Sequence, residues 1–118
     1  MKTDVDIAVI GAGAVGLAAA LMAAQQGLRV AIVEAHAPAA WQPDKPDLRV
    51  YALALDNQAL LDCLGVWSAV RGRRAEPYAA MTVFDEVQGS PLRFNAGELG
   101  RSHLGHIVEN SALVEALW

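Results

Sequence analysis

With 118 residues, 54% of them hydrophobic, the chain can bury one modest core, and a net charge of −4 leaves no broad basic surface for nucleic acid. Its single cysteine excludes an internal disulfide and fits a reducing, cytoplasmic setting.

The first predicted element is a strand over Asp6 to Ile10, followed at once by Gly11-Ala12-Gly13-Ala14-Val15-Gly16 and an alanine-rich helix. Gly27 stands where a helix C′ glycine belongs, and Arg29 to Val33 reads as a second strand ending at Glu34. That order is the one a dinucleotide-binding βαβ unit requires. Gly11 lets the strand turn into the helix, Gly13 lets bare backbone approach a pyrophosphate, and Gly16 lets the helix pack on the sheet. Glu34 stands where a carboxylate can accept the hydroxyls of a ribose, and it would repel a 2′-phosphate. The ordinary alternative is a strand-turn-helix with no ligand, since a lone glycine fingerprint arises by chance in alanine-rich chains.

Residues 7–24 carry no charged side chain, which raises a membrane span or a secretory leader as competing readings. Asp4 and Asp6 spoil the positive leader region and three glycines cut the stretch, so a buried strand and a packed helix are preferred.

Residues 37–46 hold three prolines and are read as a loop. Asp47 to Leu55 follows, then a helix over Asp56 to Leu64 that Gly65 stops in Schellman fashion, with Val66 placed for the accompanying apolar contact. Cys63, beside Leu60, Leu61 and Leu64, is expected to be a buried structural thiol rather than a nucleophile. A helical turn over Trp67 to Val70 leads into Arg71-Gly72-Arg73-Arg74, read as a solvated basic corner in preference to a phosphate site. Between Met81 and Phe94 the pattern is a hairpin, with Met81, Val83 and Asp85 on one face, Thr82 and Phe84 on the other, and Gln88-Gly89-Ser90-Pro91 as the turn. Asn95 to Ser102 reads as loop and Leu104 to Val108 as strand. Asn110-Ser111 then looks like the N-cap of a last helix bearing Leu113, Val114 and Leu117. His36, His103 and His106 lack metal-site spacing and are read as loop or packing residues. The unclosed last helix and the positive mean hydropathy together lead us to expect an incomplete copy of a longer α/β protein.

Three segments behind the fingerprint, Asp47-Leu48-Arg49-Val50-Tyr51-Ala52-Leu53, Leu64-Gly65-Val66-Trp67 and Leu104-Gly105-His106-Ile107-Val108-Glu109-Asn110, occur in an order that resembles the ubiquinone-biosynthesis hydroxylases. These are flavin-dependent aromatic monooxygenases similar in fold to p-hydroxybenzoate hydroxylase. The resemblance implies an α/β, Rossmann-like FAD-binding βαβ unit with the beginning of a β-rich substrate region. On that reading, residues 1–80 are the N-terminal part of the FAD-binding domain and 81–118 the start of the substrate-domain strands with a return helix.

It implies FAD rather than NAD, with Gly11, Ala12, Gly13 and Gly16 at the pyrophosphate and Glu34 on the adenosine ribose. NAD(P)H would be the co-substrate of the complete enzyme, and a polyprenylated phenol or quinone precursor the substrate. Peripheral association with a membrane or a ubiquinone-biosynthesis complex would follow from so greasy a substrate. Arg49 is similar in motif position to the arginine these flavoproteins direct at the FAD phosphates, the alternative being an exposed loop arginine. Asn110 stands where relatives carry a cofactor-touching glutamine or arginine, and capping of the last helix is the competing role. Glu109 resembles a family signature residue with no chemistry assigned. No catalytic acid or base is nominated, and the family's later motifs, which contact nicotinamide, flavin and ribityl chain, are missing, so this segment alone is expected to be inactive. The readings from other classes are an NAD-binding dehydrogenase module and a naturally short, non-catalytic nucleotide-binding or assembly protein.

Overall fold

The computed structural model describes residues 4–85 and 89–118, and it divides their strands among three small sheets. Strands β1 (Ile7–Ile10) and β2 (Val30–Val33) pair in parallel, Ile7 opposite Val30 and Ile10 opposite Val33. Parallel neighbours need a crossover, which helix α1 (Ala14–Gln25) supplies. The Asp6 carboxylate ties the two strand starts together by accepting from the Arg29 main-chain N–H at 2.9 Å and pairing with its guanidinium at 2.9 Å. Helix α1 stops as the glycine predicts: at Gly27 (φ 83°) the N–H reaches Ala24 O at 2.9 Å, and that of Leu28 reaches Ala23 O at 3.2 Å.

The second layer begins with β3 (Val50–Ala54), which runs directly into helix α2 (Leu55–Cys63). Gly65 (φ 78°) ends it with the paired bonds of a Schellman motif, Gly65 N–H to Asp62 O at 2.9 Å and Val66 N–H to Leu61 O at 3.0 Å, and Val66 packs against the cluster that holds Leu61. Then come α3 (Trp67–Arg73), β4 (Ala75–Tyr78), the hairpin β5 (Ala80–Val83) and β6 (Leu92–Asn95), a 3₁₀ turn over Ala96–Leu99, β7 (Gly105–Glu109) and α4 (Asn110–Leu117). Strand β7 lies between β3 and β4, antiparallel to both.

The core sits between this sheet and the helices. Leu17 of α1, Val70 of α3 and Val108 of β7 are the largest of its fully buried side chains, joined by Leu61, Leu64, Trp67, Leu113, Val114 and Leu117. The spacing read in α4 is therefore the face that packs inward.

Two expectations are corrected here and one strand is added. Cys63 is exposed. Leu61 and Leu64 share the inward face of α2, and at about 100° per residue Cys63 falls on the other side of the helix. Strand β5 ends at Val83, short of Asp85, and Gln88 of the expected turn lies outside the described residues. Strand β4 was not anticipated because Pro77 stands within it. Proline lacks a ladder donor and belongs on an edge strand, which is the place β4 occupies.

Candidate functional site

The first wall of the site is the bend between β1 and α1. Gly11 adopts φ 98°, and its N–H donates to Val33 O at 2.9 Å, which brings the ends of β1 and β2 level. Gly16 permits the close approach of helix to strand: a Cβ there would lie 2.1 Å from Gly11 O. Gly13, in extended conformation, is the N-cap of α1, and a Cβ on it would meet nothing within 4 Å. No side chain caps this helix and no acidic residue occupies its first turn. Its leading N–H groups and the positive end of its dipole are therefore directed at whatever stands before them, the arrangement that binds phosphate.

The second wall is Glu34, immediately after β2. One carboxylate oxygen accepts from the Ala12 N–H at 2.7 Å and the other from Ala35 at 2.7 Å and His36 at 3.2 Å. These main-chain donors, Ala12 foremost, hold its carboxyl below the usual glutamate range. A fixed negative charge thus stands at the mouth of the glycine bend.

The third wall joins the start of β3 to the start of α4. Asp47 accepts from the Arg49 N–H at 2.9 Å and from the Ser111 N–H at 3.0 Å, and these two bonds, Arg49 first, lower its pKa. Asp47 thereby does the capping expected of Asn110 and Ser111. The N-cap position is held by Glu109, and the Asn110 side chain is turned to Tyr51, whose hydroxyl donates to Asn110 Oδ1 at 3.0 Å. The Arg49 guanidinium lies 5.5 Å from the centre of the Tyr51 ring, and the Asn110 N–H donates to Arg49 O at 2.9 Å.

Between these walls lies an open cavity of about 320 Å³. Of the residues nominated from sequence, Ala12, Gly13, Glu34, Arg49 and Asn110 line it, together with Asp47, Tyr51 and Ser111. Gly11 and Gly16 do not; Gly16 borders an adjoining, more apolar groove of about 630 Å³ between α1, α2 and α4 that shares Gly13, Ala14, Arg49 and Tyr51 with the cavity.

Sequence reasoning missed Asp47 and Tyr51. The aspartate two residues before Arg49 was the available signal, because Asp side chains accept from the N–H two positions on. The basic corner is also corrected. Arg73 pairs with Glu115 at 2.6 Å, and Arg74 pairs with Glu109 while donating to Pro43 O at 2.6 Å. Both are half-buried and paired, whereas Arg71 is exposed as read, and none of the three lines the cavity. His106 is buried, edge-on to Trp67 at 5.0 Å and to His103 at 4.8 Å between ring centres, and burial lowers its pKa, with His103 and Arg71 adding to the effect. Among the described residues no group of three or more metal-ligating side chains comes together.

Residues 6–43, the β1–α1–β2 unit and the loop behind it, match the FAD dependent oxidoreductase family. Over 114 residues, 96% of its length, the chain is 40% identical to 3-demethoxyubiquinol 3-hydroxylase of Escherichia coli, and over 95% it is 32% identical to ubiquinone hydroxylase UbiL of Rhodospirillum rubrum. It spans only 29% and 26% of the lengths of these two relatives. Among solved structures, p-nitrophenol 4-monooxygenase PnpA of Pseudomonas putida superposes on 99% of the chain with a TM-score of 0.69 at 21% identity, covering 29% of that protein. The α/β fold is that of the flavin-dependent monooxygenases, and the resemblance to the ubiquinone-biosynthesis hydroxylases is borne out across nearly the whole chain.

Proposed function

We propose that this chain forms the N-terminal, adenosine-and-pyrophosphate-binding part of an FAD site in a flavin-dependent hydroxylase. The observation that carries the reading is the cavity itself, where the uncapped N-terminus of α1, the Glu34 carboxylate and the Arg49 guanidinium converge. The residues fit the group. Ala12 and Gly13 would present main chain to the diphosphate, Gly11 and Gly16 would shape the bend, and Glu34 would accept the ribose hydroxyls. Arg49 would meet phosphate oxygens with a planar guanidinium, and the Asn110 amide, oriented by Tyr51, would hydrogen-bond the cofactor.

FAD, when bound, supplies the redox chemistry, taking electrons from NAD(P)H and activating dioxygen for ring hydroxylation. The part of this chain is to bind and orient it; no side chain here is assigned as acid or base. By likeness to the Escherichia coli relative, the substrate of the whole protein is a prenylated phenol or quinol precursor of ubiquinone, and the hairpin β5–β6 begins the region that receives it. Such a substrate would bring a cytoplasmic protein to a membrane surface, or into a complex there. No helix among the described residues is long and apolar enough to cross one.

The test is a thermal shift with FAD and NAD added separately, repeated on Gly13→Ala. FAD is expected to raise the melting temperature. Gly13→Ala should leave the melting temperature of the free protein unchanged, because nothing within the chain opposes the new methyl, and weaken FAD binding by about tenfold through its obstruction of the diphosphate. A shift with NAD and none with FAD would overturn the reading in favour of a dehydrogenase module.

A further inference from the structure

We propose that Glu109 is a positioning residue for this cavity, acting through Trp41 and Arg74 to clasp the proline-rich loop 37–46 against the start of α4. The inference rests on the cavity being the cofactor site. Glu109 is 4% exposed, and both of its oxygens are engaged away from the cavity, which it does not line. One accepts from Trp41 Nε1 at 2.8 Å and the other pairs with Arg74. Arg74 donates in addition to Pro43 O at 2.6 Å, and its guanidinium lies 5.7 Å from the centre of the Trp41 ring. One buried carboxylate on β7 thus holds the loop at Trp41 directly and at Pro43 through Arg74.

What that hold controls follows from chain order. The residue after Glu109 is Asn110, which lines the cavity, and the loop's near end, Pro38 and Ala39, lines it from the other side. The loop has no regular secondary structure to fix its course. Three prolines restrict its φ angles, so restraint at Trp41 and Pro43 is transmitted a few residues back to Pro38. The clasp sets the separation of two walls, as second-layer contacts set the geometry of binding groups elsewhere.

Two readouts on the full chain decide it, NMR backbone order parameters of the non-proline amides of loop 37–46 without ligand and the dissociation constant for FAD, each for wild type, Trp41→Phe and Glu109→Gln. Trp41→Phe removes one donor while leaving the Glu109–Arg74 pair and an aromatic ring in place, so it remains informative if Glu109→Gln fails to fold. Loop order parameters are expected to fall below about 0.6 in Trp41→Phe while those of β7 stay near about 0.85, and FAD affinity to fall by about threefold in Trp41→Phe and about tenfold in Glu109→Gln. A merely structural role would lower the order parameters of loop and β7 together. Unchanged loop order in Trp41→Phe overturns the clasp, as does a loosened loop with wild-type FAD affinity. If wild type itself binds no FAD, the cofactor reading fails, and loop order alone then upholds or overturns the clasp.

Discussion

Strands β1 and β7 differ in a way opposite to their compositions. β1 is Ile-Ala-Val-Ile, wholly apolar, yet three of its four residues are exposed and Ile10 is 87% open. β7 is Gly-His-Ile-Val-Glu, with two ionisable side chains, yet four of its five residues are buried. The difference lies in their neighbours. β7 has a strand on either side and packs against α2 and α4, whereas β1 has one strand beside it and α1 over one face. Burial here is a property of position in the sheet, and hydropathy alone misranks the two strands. Apolar strands of parallel sheets are ordinarily covered on both faces, and this chain has under a third of the length of its curated relatives.

Each of the two regions contains one glycine whose replacement should be felt most. A Cβ at Gly16 would stand 2.1 Å from Gly11 O, and one at Gly105 would stand 2.0 Å from Leu53 O. Main chain cannot step aside as a flexible side chain can. Gly16→Ala and Gly105→Ala are each expected to cost about 3 kcal/mol, measured by denaturant unfolding. A near-neutral Gly16→Ala would show that the β1–α1 packing is looser than its geometry, and would make the contrast between the regions sharper still.

The burial contrast itself is tested by truncating one residue on each side. Val108→Ala on β7, at a fully buried position, should lose about 2 kcal/mol, while Ile10→Ala on β1 should change stability by less than about 0.5 kcal/mol. Comparable losses would break the comparison.

The smallest effect is confined to β7 and depends on pH. His106 has its pKa lowered below 6.5 by burial first and by His103 and Arg71 next, so the unfolded chain binds the proton more readily than the folded one. Stability from its neutral form is complete above about pH 6.5 and is lost as the pH falls through the folded value. Glu34 and Asp47 also have lowered values, starting from 4.5 and 3.8, and their contributions vanish only in stronger acid. Melting temperatures between pH 7.5 and 5.5, about a unit either side of the free histidine value, should therefore decline in wild type and much less in His106→Leu. A slope unaffected by the substitution would assign the pH dependence elsewhere.

Local chemistry made much of this molecule readable from its residues. The βαβ unit, the two Schellman stops at Gly27 and Gly65 and the inward face of α4 each depend on residues a few positions apart. What escaped depends on distance in the chain or on helix phase. The partners of Arg73 and Arg74 lie 42 and 35 residues away, and nothing nearby marks Glu115 or Glu109 as theirs. Proline was a sound guide to the loop at 37–46, but the same residue type at Pro77 concealed the edge strand β4. Of the two roles read for Asn110, cofactor contact and capping of its own helix, the second went to Asp47, 64 residues before Ser111. Of the candidate site, the glycine bend and Glu34 were legible, whereas Tyr51 and the buried role of Glu109 were not.

The bond from Ser111 to Asp47 has a temporal consequence. During synthesis, the strand-helix-strand nub at the front of the chain can form early, since its contacts are local. The vessel beside it has no far side until α4 has left the ribosome and swung back. On the proposed reading, capture of a dinucleotide would be a late event in maturation, and a lesion that merely loosens that helix would empty the vessel while every glycine of the fingerprint remained in place.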